Sequence, residues 1–146
     1  MLNIINKSKL ELPDYLADSL RELCWKAHIA PSDIVLIVKQ RNRYVSERWI
    51  KKGNRDIPSG TYHNNYRTIT ILIGKHTLKE DLRFVLAHEI GHLKQHKEAG
   101  ALITAGDYQA KMPKPETYAT KFAVQDCNCY PRSIYTGINK HKRGKQ

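Results

Sequence analysis

Residues 88–92 read His88-Glu89-Ile90-Gly91-His92, inside a stretch from Leu82 to Leu93 whose apolar spacing is helical. Two histidines four apart on a helix project from one face, a turn from each other. Both imidazoles can then bind one small cation, and the glutamate between them can touch a water on that cation. This is the layout of a zinc hydrolase, with His88 and His92 as ligands and Glu89 as general base. Such a centre needs three protein ligands and one open position, because a fourth protein ligand would leave no water to activate. His96 continues the spacing, yet it lies about 80° around the helix from His88 and roughly 12 Å along it, so one ion cannot reach both. A longer motif with a third histidine six residues after the second is absent, since Glu98 stands there and Gln95 occupies its glycine position. Upstream histidines and a downstream acid remain, and Glu116 in Glu116-Thr117-Tyr118-Ala119 is the better placed. An oxyanion partner would come from Tyr62, His63, Tyr66 or Tyr108.

Several elements must position these groups. Leu12 to about Ile29 predicts an amphipathic helix with Pro13 in its first turn and Pro31 closing it. Ile34-Val35-Leu36-Ile37-Val38 predicts a buried strand within Asp33 to Lys39, and Arg43 to Ile50 a weaker one. Gly53-Asn54, Pro58 and Ser59-Gly60 mark turns. Arg67 to Ile73, with Ile69, Ile71 and Ile73 in alternation, predicts a strand with one better-buried face. Thr77-Leu78-Lys79-Glu80 has the form of a capping box, opening a helix that runs to about Ala99 with Gly100 beyond its end. Leu82, Leu86, Ile90 and Leu93 line its core side, which puts His88 and His92 at the core's edge. A polar link, Ala101 to Lys114, leads to a last helix from about Glu116 to Cys127, with Pro115 in its first turn. Ala119 and Ala123 leave a shallow strip on it where another helix can approach closely.

The 146 residues suffice for one domain with one core, read as residues 1–130, followed by a basic, flexible tail at 131–146. No apolar run is long enough to span a bilayer, and Met1 to Leu12 lacks the apolar core of a secretory signal, so a cytoplasmic protein is expected. Cys24, Cys127 and Cys129 lack disulfide-framework spacing, and Cys127-Asn128-Cys129 lacks the second ligand pair of a structural zinc site. The net charge of +11 concentrates between Lys39 and Arg55 and again at Lys140 to Lys145. Such clusters attract polyanions or acidic proteins without sequence specificity, which makes nucleic acid a partner to consider.

Arg83-Phe84-Val85-Leu86-Ala87-His88-Glu89-Ile90-Gly91-His92-Leu93, followed by Glu116-x-x-Ala119-x-x-Phe122-Ala123, resembles the ImmA/IrrE family of zincin-like metallopeptidases. The likeness covers roughly Ser59 to Ala123, including a Gly60-Thr61-Tyr62 approach ahead of the Arg67 to Ile73 strand. It implies an α+β fold, a small zincin-like domain with helices packed on a small mixed or antiparallel sheet. It also implies that Glu116 is the third zinc ligand. The chain departs from the family at Thr120, usually Asp or Asn, and between Val124 and Pro131. Members of that family include proteins of phages and mobile elements that cleave a cognate DNA-binding repressor, so the resemblance implies a zinc peptidase with a specific protein substrate. Two further readings stand beside it: a non-catalytic zincin scaffold acting as a regulatory or toxin-antitoxin type binding protein, and a DNA-associated protease.

Overall fold

A computed structural model describes residues 2–41, 48, 56–63, 67–99 and 115–132. Its four-stranded sheet has the order β1-β2-β4-β3, with β1 (Ile4–Asn6), β2 (Val35–Gln40), β3 (Ser59–His63) and β4 (Thr68–Ile73). β1, β2 and β4 are parallel, and β3 runs antiparallel to β4, so the sheet is mixed and β3 forms its edge among the described residues. The register sets Leu36 beside Ile69 and Val38 beside Ile71. Period-two alternation sends these four side chains and Ile73 into the core, while the residues between them stay half-buried or exposed. Helix α1 (Leu16–Lys26) contributes Leu16, Leu20, Leu23 and Cys24 to that core. Helix α2 (Lys79–Ala99) contributes Leu82, Leu86, Ile90 and Leu93, the stripe its sequence predicts. Helix α3 (Pro115–Lys121) passes into one π-helical turn at Phe122–Asp126 and lies against α2.

The departures from expectation have local causes. α1 is shorter than predicted at both ends: Tyr15 precedes it, and His28 closes it in the left-handed region with φ 59°. Ile29 N donates to Cys24 O at 2.9 Å and His28 N to Trp25 O at 3.1 Å, a Schellman ending that stops the helix before Pro31 is reached. β1 goes unpredicted because three residues are too few to show a period. Ser59-Gly60, read as a turn, instead opens β3. Thr77 Oγ1 accepts from the Gly74 amide at 2.9 Å, so this hydroxyl holds the turn between β4 and α2. The predicted last helix divides into α3 and the π turn rather than running on to Cys127. The Arg43 to Ile50 candidate strand lies outside the described residues except for Arg48, which is helical. Gly100, the link from Ala101 to Lys114 and the tail beyond Arg132 also lie outside them. No described helix is long and apolar enough to cross a membrane.

Candidate metal centre

Helical geometry puts His88 and His92 one turn apart on α2, half-buried, with ring centroids 4.8 Å apart and planes at 85°. Glu116, the second residue of α3, reaches across to both. Its Oε2 lies 3.3 Å from His88 Nε2 and its Oε1 3.0 Å from His92 Nε2. All three donor groups fall within 4.8 Å of one another. Tetrahedral zinc with bonds of about 2.0–2.1 Å separates its donors by about 3.3 Å, so this spacing suits a zinc-sized ion with little rearrangement. Two neutral nitrogens and one carboxylate are also the donor set such a borderline-soft ion accepts.

The electrostatics favour that use. Burial, reinforced by neighbouring His92 and opposed by Glu116, pulls the His88 imidazole down to about 4. Burial likewise lowers His92 against the pull of Glu116. Both rings are therefore neutral at pH 7 and offer lone pairs without first losing a proton. Glu89 lies on the flank of α2 facing β3, and its side chain is buried, with Oε1 4.0 Å from His88 Nδ1. Its Oε2 is buried with no hydrogen-bond partner. Burial, followed by the charge of Glu116, pushes its carboxyl up to about 7, near the point at which a group both accepts and returns protons.

Two close approaches build this arrangement. A Cβ on Gly91 would stand 2.9 Å from Ala119 Cα and 3.1 Å from Ala119 O. The missing side chain thus lets α3 lie directly on α2, which brings Glu116 over the histidines. A second tie holds the same helix, since Tyr118 donates to Glu98 Oε2 at 2.8 Å and accepts from Lys94 Nζ at 2.8 Å. On the other flank, a Cβ on Gly60 would meet Glu89 Cγ at 2.8 Å and Val85 Cγ1 at 2.9 Å, so β3 closes over the glutamate only because that residue is glycine. The sequence marks Ala119 as a place of close approach but does not announce the Lys94–Glu98–Tyr118 network. The i, i+4 spacing of Lys94 and Glu98 was its only visible sign.

The other sequence candidates fall elsewhere. His96 stands apart from the three-residue group and lines a separate cavity together with Tyr62. His63 is exposed at the end of β3, and Tyr66 and Tyr108 lie outside the described residues. Cys24, Cys127 and Cys129 are buried free thiols, and burial pushes Cys127 up to about 12. The family model described as the IrrE N-terminal-like domain, of the M78 peptidases, matches residues 39–127, more than half of the chain. Neither the curated proteins nor the solved structures gave a match.

Proposed function

Because the chain belongs to the IrrE N-terminal-like domain family of metallopeptidase type, we propose that it is a zinc-dependent peptidase acting on a specific protein substrate. The observation that carries this reading is Glu116 bridging His88 Nε2 and His92 Nε2 while a buried, unpartnered Glu89 oxygen stands beside them. Zinc held by those three residues supplies Lewis-acid polarisation of a carbonyl and brings the acidity of water near neutrality. Glu89 removes a proton from the attacking water at its free oxygen and returns it to the leaving amine, which its carboxyl is poised to do near pH 7. His88 and His92 remain neutral donors through the cycle, and the Gly91 contact keeps Glu116 in place. Gly60 on the edge strand excludes water from one side of Glu89.

The resemblance extends the proposal to the substrate: a DNA-binding repressor of a phage or mobile element, met in the cytoplasm. The basic segments from Lys39 to Arg55 and at the chain's end would draw the enzyme towards nucleic acid carrying that repressor. The decisive test incubates zinc-loaded protein with the product of its neighbouring gene. Cleavage that is abolished by chelation and by Glu89→Gln is expected. A biological effect that needs the metal yet survives Glu89→Gln would replace the peptidase by a binding scaffold.

A further inference from the structure

A second cavity, of about 200 Å³, opens one helical turn beyond the metal centre. Its apolar floor is Ile29, Ile34 and Leu93, and its polar wall is Tyr62, Arg67, His96 and Lys97, opposed by Asp33. The fully charged groups are two cations against one anion, and Asp33 forms no ion pair with Arg67 or Lys97. Tyr62 Oη is buried without a hydrogen-bond partner. A hydroxyl in that state has lost water without gaining a partner, and a ligand acceptor that displaced the atoms covering it would satisfy it. Arg67 immediately precedes β4 with φ 47°, in the left-handed region, and its exposed side chain lines the cavity's rim. Lys97, exposed on the same rim, donates from Nζ to His28 O at 3.2 Å and has further donors to offer. An anionic acceptor small enough for a space somewhat larger than a benzene-sized void meets all of these groups.

The position ties this cavity to the metal centre. Tyr62 lies two residues beyond Gly60 on the same face of β3, about 7 Å further along, and Gly60 packs on Glu89. His96 lies one turn, about 6 Å, beyond His92. An extended polypeptide advances about 3.3 Å per residue, so a side chain two positions from a bond held at the metal centre reaches this space. We propose that the cavity is a specificity pocket for an acidic side chain of the polypeptide substrate, its carboxylate received by Arg67, Lys97 and the Tyr62 hydroxyl. The proposal rests on the peptidase reading for the occupant, and on the lining alone for the carboxylate.

The test uses the zinc-loaded full chain carrying Glu89→Gln, so that bound peptides are not cleaved. The probes are end-blocked alanine-based octapeptides with a single Glu or Gln at successive positions, and free glutarate. Calorimetry is expected to show one Glu position bound at least tenfold more tightly than its Gln counterpart. That preference should fall to within twofold in Arg67→Asn/Lys97→Gln, where Asn tolerates the left-handed backbone. Tyr62→Phe should reduce it three- to tenfold, and zinc affinity should be unchanged in both variants. Equal binding of Glu and Gln peptides, or no binding at millimolar concentration, overturns the pocket. A preference that survives the double variant places the carboxylate at the metal and also overturns it. Glutarate binding as tightly as the best peptide would make the occupant a free acid rather than a side chain. A Glu preference lost in the double variant, in a wild-type protein that cleaves nothing, would sink the peptidase and leave the pocket standing.

Discussion

Two buried carboxylates in this molecule are each roofed by a glycine, and they are treated in opposite ways. Asp56 lies under Gly74, where a Cβ would collide with its carboxylate, and Glu89 lies under Gly60. Asp56 is spoken for: Oδ2 accepts from His76 N at 3.1 Å, and Oδ1 faces Arg41 Nη1 at 3.5 Å as an ion pair rather than a hydrogen bond. Arg41 itself donates to Ile57 O, so this acid clamps the end of β2, the entry to β3 and the turn after β4. Glu89 accepts no such amide and faces no guanidinium: its Oε1 lies 4.0 Å from the His88 ring, its Oε2, like Asp56 Oδ1, accepts no hydrogen bond, and its environment drives it towards the neutral form. The cost of burying a charge is offset at Asp56 by pairing, which makes structure. At Glu89 it is left standing, which makes a proton acceptor.

Substitution should separate the two. Glu89→Gln is expected to lower turnover about 10²- to 10⁴-fold while zinc affinity stays within a few fold, measured by metal titration beside the cleavage assay. The same change at the other acid should act the other way. Asp56→Ala leaves the His76 amide without its acceptor and Arg41 with Ile57 O alone, and is expected to cost about 1–3 kcal/mol in urea unfolding with zinc binding intact in the folded fraction. If Asp56→Ala left stability untouched, the clamp would be no clamp.

The unequal fates of the two acids also show what the sequence could reveal. His88, Glu89 and His92 share one helix, so their spacing alone states their geometry, and the apolar stripe of Leu82, Leu86, Ile90 and Leu93 orients that helix. Glu116 belongs to another element, and its approach depends on a helix crossing that no local period encodes. A resemblance to a family supplied it, and Gly91 and Ala119 explain it only once they are seen in contact. Asp56 carries no sign in the sequence because its partners are one backbone amide and a distant arginine. β3 was read as a turn from Ser59-Gly60, because a glycine needed for close approach to Glu89 looks in sequence like a glycine needed for a bend.

The glycines sharpen the contrast. Gly91→Ala presses a methyl against the Ala119 backbone, which cannot swing away, so α3 must lift and carry Glu116 with it. Zinc affinity is expected to fall about ten- to a hundredfold, with the unfolding transition still cooperative. Gly60→Ala meets Glu89 Cγ, which can shift because Oε2 has no hydrogen bond to lose, and Val85 Cγ1, whose β-branched side chain has less freedom to move. Stability should then fall by about 1–2 kcal/mol while turnover drops. Gly74→Ala instead meets a pinned carboxylate and should cost about 2 kcal/mol or more. Equal stability costs at Gly60 and Gly74 would erase the distinction between the two acids.

The smallest effect lies in the metal-free protein's response to pH. The Glu89 carboxyl is raised to about 7 from an ordinary 4.5, so between those values the folded chain holds a proton that the unfolded chain has released. Its contribution is therefore full below pH 4.5 and is lost as pH rises through 7. His88, pulled down to about 4 from 6.5, works in the opposite sense: its burial as a neutral ring costs stability as pH falls from 6.5 towards 4. In the chelated wild type the two slopes oppose each other over most of their range. Glu89→Gln removes only the first, since a neutral amide resembles the protonated carboxyl. Urea unfolding in chelator is thus expected to show the variant near wild-type stability at pH 5 and more stable by about 1–2 kcal/mol at pH 8. A constant difference across that range would mean that Glu89 ionises inside the fold as easily as outside it, as a paired structural acid would.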